Sequence, residues 1–211
     1  MKAFRVMGRV LKATYDELFL LVWVSVLWWV GVLLIVTAAP ATIGLNQVAN
    51  RIANYKRVDS SYFWEGGKQY FWRSWPLFLF NFLLPIGIAF NIWFYGANSG
   101  WMRVVAILWV WVLILLLMMG QYFFPLFWQQ EDRGLLLILR NALLLALRYP
   151  LYTFLMLLFQ IALLVISVVL AVPLFLLTPA LLALSANFAL TGLLQEMGMA
   201  PQPPESHKRG K

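Results

Sequence analysis

Long apolar runs separated by short polar clusters dominate this chain, and the runs are continuous rather than alternating. Five are clear: Leu18–Val36, Trp75–Tyr95, Val104–Phe124, Leu151–Val172 and Leu174–Leu194, with Pro173 as the natural break between the last two. Each has about the 20 residues a helix needs to cross roughly 30 Å of hydrocarbon at about 1.5 Å per residue. Spans built from β-strands would alternate polar and apolar side chains, so helices are predicted throughout. Short connections such as "GANSG" (Gly96–Gly100) make neighbours antiparallel, and the bundle reads as a set of helical hairpins.

The stretch "TAAPATIGLNQVANRIANYKR" after the first run is of another kind. Thr42, Asn46, Asn50 and Asn54 recur every four residues as a polar stripe, while Ala41, Leu45, Val48, Ile52 and Tyr55 form an apolar stripe on another face. Such a helix cannot face lipid all round. From Thr37 to Ala53 it is only about 25 Å long. Its alanines and Gly44 keep it thin enough for close approach by neighbours, and Pro40 suits a first helical turn.

Charge decides how this stretch is threaded. With five crossings, five basic residues fall on the amino-terminal side and eleven on the other; if residues 37–53 also cross, fifteen of the sixteen share one side and only Arg103 is left outside. Lys and Arg are retained on the cytoplasmic side, so six spans with both termini inside are preferred, the second short and polar-striped and crossing or at least re-entering. The first run is longer than the roughly 7–15 residues of a signal-peptide core, so it is read as an uncleaved span.

Two segments read as cytoplasmic interfacial helices. "SSYFWEGGKQYFWRSW" (Ser60–Trp75) mixes aromatics with basic residues as segments at headgroup level do, with Trp64, Lys68, Trp72 and Arg73 as candidate interfacial positions and Gly66–Gly67 expected to weaken it as one helix. "RGLLLILRNALLLALRYP" (Arg133–Pro150) sets Arg140 and Arg148 eight residues apart on one stripe. An arginine at mid-membrane costs at least ~2.5 kcal/mol, so an amphipathic surface helix is the cheaper reading. The expected organisation is one membrane domain, 1–196, followed by a disordered basic cytoplasmic tail, 197–211.

Composition agrees: 63% of residues are hydrophobic and 11% charged, against about 25% charged in an ordinary soluble domain. The net charge of +8 is absorbed by the topology, and no nucleic-acid partner is inferred. There are no cysteines, every acidic residue lies outside the expected hydrocarbon, and the single histidine, His207, is in the tail. No catalytic residue, metal ligand set or cofactor is therefore expected, and the chain is read as a non-enzyme with no buried proton-coupling group.

Uncharged intramembrane polarity remains as candidate chemistry: Asn46, Asn50, Asn81, Asn91, Gln121, Gln160, Asn187 and Thr191. Two readings stay open. Interhelical bonds of about 0.6–2 kcal/mol each can hold the bundle together, or some of these groups line a small cavity for a neutral solute such as a sugar.

"PATIGLNQVAN" directly after a first apolar span, then "YFWEGGKQYFWRSW" and "RNALLLALRYPLYTFLM", resembles the YesL-like family of bacterial integral membrane proteins, a domain of unknown function. The resemblance covers about Leu18 to Leu194. It implies a multi-span bundle with no assigned reaction, placed in the bacterial cytoplasmic (inner) membrane and associated with carbohydrate uptake. The expected partners are the lipid bilayer and a membrane protein such as a transporter; a structural subunit of a larger complex and an independent channel or carrier are the alternatives.

Overall fold

The computed structural model describes residues 2–171 and 175–203, and among them every regular element is helical. In chain order the helices are α1 (Lys2–Asp16), α2 (Leu18–Leu33), α3 (Ala38–Ala53), α4 (Ser61–Gln69), α5 (Phe71–Gly96), α6 (Met102–Gly120), α7 (Phe123–Gln129), α8 (Leu135–Arg148), α9 (Pro150–Leu170) and α10 (Thr178–Glu196). Pro173, the expected break, lies outside the described residues, as do residues 204–211 of the expected tail.

The basic amino terminus is itself a helix, which the apolar runs do not reveal. Ala3, Val6 and Val10 recur at helical spacing and are buried, while Lys2, Arg5 and Lys12 stay exposed. At Glu17 the chain bends by 88° into α2. That helix ends at Leu33, short of Val36, because Ile35 takes a left-handed φ of 55° and turns the chain back. Thr37 Oγ1 secures the turn by donating to Gly31 O at 2.7 Å.

The thin α3 lies at the centre. Only Asn50 and Arg51 among its sixteen residues are not buried. A Cβ on Gly31 would stand 2.6 Å from Ala41 Cβ, and one on Gly44 would overlap the Phe63 carbonyl, so α2 and α4 both press against α3 where side chains are missing. Gly66 and Gly67 therefore correct an expectation: α4 runs unbroken through both, and the break comes at Tyr70. Their missing side chains let α4 settle onto Gln47 and Pro40.

Among the described residues four stretches are long and apolar enough to cross a membrane, Phe71–Gly96, Met102–Gln129, Pro150–Leu170 and Thr178–Glu196, and the bent pair α1–α2 counts as a fifth if it is taken as one span. With sixteen residues, about 24 Å in length, α3 is not among these stretches, and the expected count of six rests on it. The run expected as Val104–Phe124 lies within the stretch Met102–Gln129, although α6 stops at Gly120 and α7 restarts at Phe123 after the buried Gln121 and Tyr122.

Burial is uneven in a way lipid explains. Most residues of α10 are buried, whereas few of α5 and α6 are. Trp93 on α5 and Trp111 on α6 are both 67% exposed, and such faces are stable only against another apolar phase. α8 behaves as an amphipathic strip: Ile138, Ala142 and Ala146 are buried while Arg140 and Arg148 point out.

Candidate functional site in the bundle core

Asparagine at every fourth position of α3 places successive amides on one face, and α10 supplies a fully buried asparagine opposite them. Asn187 Nδ2 donates to Asn46 Oδ1 at 3.1 Å and to Ala183 O at 2.8 Å. Its Oδ1 accepts from Asn50 Nδ2 at 3.2 Å. Asn54 Nδ2 donates in turn to Asn50 Oδ1 at 3.3 Å and to Gln129 Oε1 at 3.3 Å. A donor chain thus runs Asn54 to Asn50 to Asn187 to Asn46, and each bond polarises the next. Asn46 Nδ2 closes the series on Thr42 O at 2.9 Å.

The same helix is tied to its other neighbours by indoles. Trp28 Nε1 donates to Thr42 Oγ1 at 3.0 Å, and Trp128 Nε1 to Ile43 O at 3.1 Å. The amide and hydroxyl donors of the stripe are thereby engaged by α2, α7 and α10 or by their own helix, while Gln47 Oε1, on the same helix, is buried without a hydrogen-bond partner.

Gln121 and Gln160 form a second cluster between α6 and α9. Gln121 Nε2 donates to Met118 O and Thr153 O, each at 3.1 Å, and Gln160 Nε2 approaches Gln121 Oε1 at 3.4 Å. Tyr122 OH and Thr153 Oγ1 share a bond of 2.9 Å. Thr191 is buried in α10 outside the asparagine chain, while Asn81 and Asn91 are only half-buried on α5 and belong to neither cluster. Asn81 lies against the bare backbone of Gly120, where a Cβ would stand 2.8 Å from its Oδ1. The interfacial candidates Trp64, Lys68, Trp72 and Arg73 are exposed at the α4–α5 junction.

Several members escaped the sequence reading, among them Tyr122 and Thr153 of the second cluster, Gln129 and Arg9. Gln129 sits at the end of an apolar run, and nothing local says that it turns toward Asn50 and Asn54. Arg9 lies on α1, where its Nη1 reaches Gln195 Oε1 at 2.8 Å and Tyr55 OH at 3.2 Å. Helical periodicity in α1 marks its inward face, and Arg9 borders it beside Val6 and Val10.

Chemically the core is neutral: amides and hydroxyls that exchange hydrogen bonds and do not titrate near neutrality. Among the described residues no group of His, Cys, Asp or Glu is placed to hold a metal ion. Gln129 also lines a cavity of about 450 Å³ between α7, α8 and α10, with Gln130, Asn141 and Arg148 among apolar Leu and Met side chains. Residues 197–203, expected to begin the tail, return to α10 through Met199 N to Leu194 O at 2.8 Å and Gln202 Nε2 to Gln195 O at 3.0 Å. Comparison of the chain with protein-family models, with curated proteins and with solved structures gives no match.

Proposed function

We propose that this chain is a non-enzymatic integral membrane protein of the bacterial cytoplasmic membrane, accessory to or part of a transport system, with carbohydrate uptake the favoured setting through its YesL-like resemblance. The observation that carries the accessory reading is the closed asparagine chain between α3 and α10. Its donors and acceptors engage one another, so the polar core serves as interhelical glue rather than as an open solute path. In this reading six segments cross, α3 as the short second one, and both termini are cytoplasmic. The Arg9 contacts support that arrangement, because they gather α1, the turn after α3 and the end of α10 at one end of the bundle.

Purification in mild detergent tests the reading: a membrane-protein partner should accompany the chain, and a solitary monomer indifferent to sugars would sink it. Liposomes containing the chain alone should take up sugar no faster than empty ones; uptake would instead establish a carrier. The second reading, a structural subunit of a larger complex, is favoured by the exposed apolar outer faces of α5 and α6, which would serve a neighbouring subunit as well as lipid. A stable complex lacking any transporter would establish it.

A further inference from the structure

Where α4 passes into α5, a cavity of about 340 Å³ opens between the first turns of α5 and the start of α8. Two guanidinium groups line it, Arg73 and Arg133, against a single carboxylate, Asp132. Asp132 Oδ1 is already engaged, accepting from Gly134 N at 3.0 Å. Among the described residues the one ion pair is Lys2–Glu196, so neither arginine has an acidic partner.

Arg133 is held in an unusual setting for an unpaired cation. Its guanidinium carbon lies 4.4 Å from the ring centroid of Tyr70, 5.2 Å from that of Trp128 and 5.4 Å from that of Phe127. Three aromatic faces fix its position, and the side chain is partly buried among them. Its Nε is buried with no hydrogen-bond acceptor, an expensive condition for a charged donor. Burial also pulls the Arg133 pKa below the ordinary arginine value. A nearby anion would relieve both.

The rest of the cavity favours the same kind of guest. α8 starts at Leu135 without a side-chain cap on Gly134, so its first backbone N–H groups lack intrahelical partners and its dipole favours negative charge beside Leu135. Pro76, Leu77 and Phe127 give an apolar wall continuous with the lipid-facing start of α5. Paired guanidiniums match tetrahedral phosphate oxygens through bidentate bonds.

We propose that this cavity binds a phosphate-bearing anion, with Arg73 and Arg133 as its guanidinium ligands. The phosphate belongs to the headgroup of an anionic lipid or to a free phosphate compound. Basic pockets at the cytoplasmic ends of membrane helices hold lipid phosphates in this manner. This site is independent of the transport reading, which rests on the asparagine core.

The test uses the full chain purified in neutral detergent. Equilibrium dialysis measures inorganic phosphate, and native mass spectrometry measures phosphatidylglycerol retained after reconstitution with phosphatidylcholine and phosphatidylglycerol. Arg73→Gln, at an exposed side chain, should weaken binding roughly ten- to a hundredfold, as loss of a charge-assisted bond does. Arg133→Gln should do the same, with thermal unfolding read in parallel because that residue also packs on aromatics. Arg140→Gln, on the exposed face of α8, should bind as the parent chain does. Retention of lipid alone identifies the headgroup as the source, and binding of both probes identifies the phosphate itself as the determinant. Failure to bind either probe, binding undiminished by Arg73→Gln, or an equal loss with Arg140→Gln would overturn the assignment.

Discussion

Asn187 on α10 and Asn46 on α3 are 141 residues apart in the chain, yet their side-chain amides meet at 3.1 Å in the bundle core. Removing either partner leaves buried amide groups unmatched, at a cost of about 1–3 kcal/mol each. Asn187→Leu should therefore lower the unfolding temperature and the folded yield in detergent, and adding sugars should not restore them. Recovery by a sugar would mean that the cluster is a binding site.

The α3–α4 crossing depends on three absent side chains, at Gly44, Gly66 and Gly67. Gly44→Ala would drive a methyl group into the Phe63 carbonyl, a backbone atom that cannot step aside, whereas a Cβ on Gly8 meets nothing within 4 Å. Gly44→Ala should destabilise by about 1–3 kcal/mol or more, as overpacking does. Gly8→Ala, in the middle of α1, should be neutral or stabilise by up to about 1 kcal/mol. Thermal scans of the two variants in one detergent make the comparison direct.

Threading of α3 has its own readout. Reporters attached at Met1 and at Tyr55 should fall in one compartment, and a reporter at Asn98 in the other. Opposite compartments for Met1 and Tyr55 would break both the six-span arrangement and the meaning given to the Arg9–Tyr55 contact of 3.2 Å.

A pH effect is expected at the start of α4. The Ser61 side chain and backbone hold the exposed Asp59 carboxyl below its ordinary value, the backbone N–H bond measuring 2.7 Å. Because the folded pKa is depressed, the contribution is present above the unfolded value of about 3.9 and is lost as pH falls through the folded one. Hydrogen-exchange protection of the Ser61–Phe63 amides, taken relative to the intrinsic rate at each pH, should fall on acidification through that range. Asp59→Asn should exchange without this pH dependence.

Much of the architecture was legible in the chain because it is encoded locally. Continuous apolar runs dictated helices; the four-residue recurrence from Thr42 to Asn54 dictated that α3 needs shelter; the spacing of Arg140 and Arg148 dictated an amphipathic strip. The breaks were less legible, since a glycine pair such as Gly66–Gly67 reads as weakness in isolation and becomes a contact surface only when Gln47 and Pro40 are brought against it.

What the sequence by itself determined is therefore the class of fold, the neutral amide inventory and the clustering of basic residues at the ends of apolar runs. Tertiary structure alone decided that Asn187 and Gln129 complete the stripe of α3, that Arg9 joins Tyr55 to Gln195, and that Arg133 lies on Tyr70, Phe127 and Trp128 and lines one cavity with Arg73. The physical reason is range. Periodicity follows from the geometry of one helix and can be read along it, while the partner of a buried amide or an unpaired guanidinium is chosen by packing between segments far apart in the chain.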